Sequence, residues 1–181
     1  MKLPENRKIA SAVLAGAILV SVFGIGALKM SSARRSAEAV FYKGTDTSLS
    51  VNHSLDSYLE RAETSAVKLA GECERILGEG SAQAVKDAAK ELSDAGRIAD
   101  RYSAYKELSR QIQDLWTRVL AKEPDPTEAL PFYKDYQSAA DLIKNDAYNT
   151  YAGDYNGSAG SFPAGLIAGI YGMDPLDTFG G

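Results

Sequence analysis

Residues 98–119 read IADRYSAYKELSRQIQDLWTRV, and this stretch decides the fold. Ile98, Tyr105, Ile112 and Val119 recur every seven residues, with Leu108 and Leu115 between them, a seam that an α-helix presents along one side. Only Arg101 interrupts it. A helix with such a seam has to lie lengthwise along other helices to bury it, so the stretch predicts a helical bundle.

Its neighbours carry matching stripes. Toward the N-terminus, Leu55, Tyr58, Leu59, Ala62, Ala66, Leu69, Ala70, Cys73, Ile76 and Leu77 recur at three- and four-residue intervals. Ser54 can cap that helix, and Gly78 offers the left-handed backbone that commonly ends one. A shorter helix is predicted from Ser81, as cap, through Val85, Ala88, Ala89 and Leu92 to Gly96. Beyond residue 119, Glu123-Pro124-Asp125-Pro126-Thr127 breaks the chain, because proline removes a backbone donor and restrains the residue before it. A final long helix is predicted from about Glu128 to Asn156, with Pro131 in its first turn. Phe132, Tyr136, Ala140, Ile143, Ala147, Tyr148, Tyr151 and Tyr155 would form its buried side. No useful length of sequence alternates apolar and polar residues, so the reading is all-α: an antiparallel up-and-down bundle over residues 54–181.

A different segment precedes it. Ile9 to Leu28 contains no charge and is flanked by Arg7 and Lys8 on one side and Lys29, Arg34 and Arg35 on the other. At about 1.5 Å per residue it reaches roughly 30 Å, the thickness of a bilayer's hydrocarbon core. The predicted organisation is a short tail (1–8), a single transmembrane helix (9–28), an anchor-proximal helix and polar loop (29–53), and the bundle. Its apolar run is longer than a cleaved signal peptide requires. Charges on the two flanks nearly balance, which leaves the side of the membrane holding the bundle open.

Charge also excludes a partner class. The chain carries 20 basic and 24 acidic residues, of which residues 1–43 hold seven basic and two acidic, leaving a net of −9 for the remainder. After Lys144 there is no Lys or Arg. Phosphate-backbone binding depends on cations, so nucleic acid is not an expected partner. The expected partners are membrane lipid through Ile9–Leu28 and a protein, either foreign or a second copy.

Near the C-terminus, Tyr148-Asn149, Tyr155-Asn156 and Phe162-Pro163 each begin seven residues after the last. Seven residues are nearly two helical turns, so Tyr148 and Tyr155 share a face, and Pro163 marks a break. Asn is a mediocre helix former, and a role for Asn149 and Asn156 follows from chemistry: each amide can donate and accept, tying the helix to neighbouring segments. The apolar run 164–173 is too short to cross a bilayer and predicts a short terminal helix folded onto the bundle, with Phe179 as a last apolar anchor. These pairs, with Ala168, Gly172 and Phe179, resemble the closing signature of the LemA family, whose layout of one N-terminal membrane helix before a helical bundle is similar. The segment from Phe41 to Leu77 lacks the family's Asn-Leu motif after the anchor, so the resemblance is to a divergent member. It implies a bacterial membrane-associated protein without established catalytic activity.

Catalytic and metal-binding readings find little support. His53 is the sole histidine and precedes a helix in a polar turn; Cys73 is the sole cysteine and lies on an apolar stripe. No Glu-x-x-His pair suggests a di-iron bundle, and Gly78-Glu79-Gly80 lacks the Lys-Ser/Thr of a nucleotide loop. Glu60 with Glu63, and Glu72 with Glu74, read as solvated faces. The expectation is a non-catalytic interaction or scaffold protein without a cofactor; the alternative is a small-ligand sensor or enzyme with a pocket between helices.

Overall fold

A computed structural model describes residues 3–45 and 53–179, with side chains from Ile9 onward, residue 19 excepted. Most of the polar loop read between residues 44 and 53 lies outside these. Among the described residues the secondary structure is entirely helical: α1 (Leu3–Lys43), α2 (Leu55–Leu77), α3 (Gln83–Asp94), α4 (Ile98–Lys122), α5 (Leu130–Lys144), α6 (Ala147–Gly160) and α7 (Ala164–Tyr171).

The span and the anchor-proximal helix, read separately in the sequence, are one continuous helix of 41 residues. Nothing between Leu28 and Ser32 breaks it, because Lys29 and Met30 are good helix formers and no Gly or Pro intervenes. The two halves of α1 differ in surroundings. Its most apolar window, with a mean hydropathy of 2.3, contains no buried residue, and the helix is long and apolar enough to cross a membrane. From Met30 onward Met30, Ala37, Val40 and Phe41 are buried.

Helix α2 is the centre of the packing, touching α3, α4 and α5, and it meets α1 at one end. Its boundaries follow the sequence closely. Ser54 is buried and closes a reciprocal capping box with Ser57, in which the Ser57 N–H donates to Ser54 Oγ at 3.3 Å and the Ser54 N–H to Ser57 Oγ at 3.2 Å. Gly78 ends α2 at φ +106°, ψ 158°, a positive φ outside the left-handed helical region expected for it. Arg101, the lone break in the α4 seam, ties helices together: its Nη1 bonds Asp56 in the first turn of α2, and its Nε donates to the Ala95 carbonyl at 3.0 Å.

Two expectations are corrected. Ser81 does not cap α3; the helix begins at Gln83 after a Gly78–Ala82 turn, where Gly78 and Gly80 carbonyls accept from Ser81 and Gln83 N–H, and Ser81 Oγ is buried without a partner. The final long helix is two helices, because Asp146 leaves helical geometry (φ −65°, ψ 144°) and accepts the Tyr148 N–H at 2.8 Å as a fresh N-cap. Restarting the helix resets its phase. The buried face of α6 is therefore Tyr148, Ala152, Tyr155 and Ala159, and Tyr151 is exposed.

Packing pairs α5 with α2 and α6 with α1, so the interrupted rod α5–α6 lies along the interrupted rod α2–α1. Gly44, at φ +71°, lets the chain after α1 pass against the His53 carbonyl, where any Cβ would collide with backbone. By contrast Gly71 is helical, exposed and in open space. Gly71→Ala is expected to raise stability by roughly 0.5–1 kcal/mol and Gly44→Ala to lower it by about 1–3 kcal/mol, read by urea unfolding monitored by circular dichroism.

Candidate functional site

Helix α6 and the chain after α7 build the most distinctive feature. Tyr148 and Tyr155 point their rings into the core, and Asn149 and Asn156, one position further round the helix, face an extended tail from Met173 to Phe179. Asn156 Oδ1 accepts the Leu176 N–H at 2.8 Å while its Nδ2 donates to the Leu176 carbonyl at 2.7 Å. One amide thus replaces both bonds that an adjacent strand would make. Asn149 Oδ1 accepts the Phe179 N–H at 2.6 Å, and its Nδ2 donates to the Ile143 and Lys144 carbonyls, closing the end of α5.

Further ties fix the register. Tyr148 Oη donates to the Asp177 carbonyl at 2.9 Å, and Arg34 Nη1 donates to the Asp174 carbonyl at 2.9 Å while its Nε pairs with Glu38. Held this way, Leu176 and Phe179 are buried. Phe179 enters an aromatic junction whose ring centroids lie 5.3 Å from Tyr102, 5.9 Å from Phe41 and about 6.1 Å from Tyr105 and Tyr148. Phe41 and Tyr148 meet edge to face at 5.2 Å. Burial raises the Tyr148 phenol's pKa, keeping it a neutral donor.

The remaining signature residues serve α7. Phe162 is exposed, its bond to Pro163 is cis, and Pro163 stands at the N-cap of α7. Ala168 is buried, and Gly172 ends α7 in the left-handed conformation with its N–H on the Ala168 carbonyl. The third pair is therefore not a third turn of the Tyr/Asn face. Sequence reasoning missed Phe41, Tyr42 and Tyr102 in the aromatic junction; they lie far from the signature in the chain, and no local pattern links them.

Two recesses flank the tail. One, of about 460 Å³, has Tyr102, Tyr105 and Phe179 on its walls and Lys106, Arg110, Asp141 and Lys144 around them. The other, of about 450 Å³, lies between Arg34, Glu38, Arg97 and the tail at Asp174–Asp177. A third, of about 290 Å³, gathers Glu60, Glu63, Thr64, Ser93 and Arg101. Burial raises the Glu63 carboxyl's pKa there, so Glu63 is less solvated than its sequence reading. Among the described residues no three His, Cys, Asp or Glu side chains converge as metal ligands would. His53 is exposed, with Nδ1 3.3 Å from Tyr58 Oη, and buried Cys73 has its thiol pushed up to about 11 by desolvation, far from a reactive thiolate. Compared with family models, curated proteins and solved structures, the chain has no match.

Removing the Asn156 amide leaves the Leu176 N–H and carbonyl without protein partners. Asn156→Ala is expected to cost roughly 2–3 kcal/mol and to speed hydrogen exchange at Leu176 and Phe179 far more than at Leu108. The two tyrosines separate cleanly. Tyr155 Oη is buried beside the Arg34 guanidinium, close enough to interact with it but without good hydrogen-bond geometry, because the Arg34 N–H groups are directed at Glu38 and Asp174. Tyr148→Phe should cost about 1 kcal/mol, and Tyr155→Phe should be neutral or stabilising by up to about 1 kcal/mol, both read as shifts in the urea midpoint.

Proposed function

We propose that this chain is a membrane-anchored, non-catalytic interaction or scaffold protein of the LemA type, single-pass through Ile9–Leu28, with its remaining helices arranged as an antiparallel up-and-down bundle. The observation that carries the reading is the bareness of the first half of α1. Ile9, Val13, Leu14, Ile18, Val20 and Leu28 are all at least half exposed, Val20 as much as 74%. Every residue whose side chain is described between Ile9 and Val22 is exposed, whichever way it faces, so a single docked partner would leave much of that surface wet. Burying each such side chain in an apolar medium is worth about 1.5–3 kcal/mol, which favours lipid on every side.

An interaction role draws on the recess beneath Phe179. Its aromatic walls and mixed-charge rim suit a protein side chain that brings an apolar body and a polar tip, and they offer no set of groups poised for proton transfer. The alternative of a small-ligand sensor or enzyme has one observation on its side, the raised Glu63 carboxyl in the Glu60–Arg101 recess.

Full-length protein expressed in a bacterial host should stay with membranes through an alkaline carbonate wash and leave only with detergent. Leu14→Arg combined with Ile18→Arg, each costing about 2.5–3.5 kcal/mol in a bilayer centre, should move it to the wash. Wild-type release by carbonate would remove the anchored reading. A photocrosslinker at Ser109 should capture one defined protein, and that product should vanish with Lys106→Glu and Arg110→Glu.

A further inference from the structure

The apolar surface of this protein does not end with α1. From Tyr155 to Met173 the chain has 19 residues without a charge, the longest such run outside the span. It takes in the end of α6 and all of α7, and α7 packs against α1 at the level of Gly26, where a Cβ would stand 2.5 Å from Ile167 Cδ1. Phe23 and Ala27 of α1 are half-buried against the core, as are Ala164 at the start of α7 and Met173 just beyond its end. The opposite side of α7 is bare: Leu166 is 52% exposed, Ile170 62%, and Phe162, in the turn before it, 89%.

Depth along α1 says what this face meets. Gly26 and Phe23 lie two and five residues inside the end of the span at Leu28, about 3 and 8 Å along the helix axis. Polarity changes on both segments soon after this contact. On α1 the first charge is Lys29, followed by Arg34 and Arg35; on the tail it is Asp174, whose carbonyl accepts from Arg34. Arg34, five residues past Lys29, thus holds the first charged residue of the tail against the charged stretch of α1. At eight residues, or about 12 Å, α7 is too short to cross a bilayer.

Building on the anchored reading above, we propose that α7 and Phe162 form an interfacial wedge, inserted among lipid acyl chains in the leaflet from which α1 emerges. Lys29 and Arg35, both exposed at that border, face the head groups, and Tyr171 at the end of α7 sits where aromatic residues favour the interface. The face adjoins α1 across the Gly26–Ile167 contact and carries no charge from Tyr155 to Met173, as suits a helix lying roughly 5–10 Å into the interface. The protein therefore holds the membrane at two points, and the wedge fixes which side of α1 carries α6.

The test uses the full chain with Cys73→Ala, reconstituted in phosphatidylcholine–phosphatidylglycerol vesicles. Single cysteines at Val13, Phe162, Leu166 and Lys134 carry a nitrobenzoxadiazole label, and nitroxides are placed at carbon 5 or carbon 12 of the lipid chains. Labels at 162 and 166 should lose about twofold in fluorescence with the carbon-5 quencher and less with carbon 12, as an interfacial depth demands. The label at 13 should respond most to carbon 12, and the label at 134 to neither. If the label at 13 is quenched but those at 162 and 166 are open to aqueous iodide, the wedge is refuted and the anchor stands. Shielding of 162 and 166 from both lipid quenchers and iodide would mean that protein, such as a second copy, covers the face, and would equally refute it. Absence of quenching at 13 would overturn the anchor and the wedge together.

Discussion

An extended peptide laid against helices has to find partners for its own amides, and at the C-terminal end of this chain side chains supply most of them. The tail 173–179 takes its bonds from Asn156, Asn149, Tyr148 and Arg34. Buried backbone groups left unpaired cost about as much as a hydrogen bond each, so these donors and acceptors remove a cost that would oppose the burial of Leu176 and Phe179. Docking in turn delivers Phe179 to the place where α1, α4 and α6 meet. The core at that end is thus completed by the last apolar residue of the described chain, and the aromatic junction depends on two asparagines that never enter it.

The junction also lies close to the end of α1 and the break between α5 and α6. Phe41 stands two residues before α1 ends, and Tyr148 is the second residue of α6. Asp146, the cap between α5 and α6, is close enough to Tyr58 near the start of α2 for its charge to add to the burial that raises the Tyr58 pKa. Edge-to-face aromatic rings from α1, α4 and α6 and the tail pack beside these breaks at low cost in side-chain entropy.

Much of this was legible from the letters. The stripes of α2 and α4 are long and regular, and Leu59, Leu69, Leu108, Ile112 and Val119 are buried as their spacing requires. Even the weak Ala-rich face of α3 is buried at Val85, Ala88, Ala89 and Leu92, because small side chains let that helix pack close to α2 and α4. The split between α5 and α6 was hidden, since the apolar period runs through Asn145-Asp146 with little change of step. The one available signal was Asp146 itself, a strong capping residue two positions before a buried tyrosine. The Tyr/Asn pattern suggested tying without revealing to what. Leu176 and Phe179 are their partners through tertiary geometry that no local pattern encodes, and the same holds for the junction formed by Phe41 and Tyr102.

One uninterrupted helix joins the bare apolar segment to the packed one, and this has a mechanical meaning. A stiff rod transmits angle. If lipid surrounds its first half, any lean adopted to match a thinner or thicker bilayer passes through Lys29 to Phe41 without a hinge to absorb it. The mass attached to the far half would then swing with the membrane, so the attitude of the bundle toward its surroundings becomes a readout of local lipid composition.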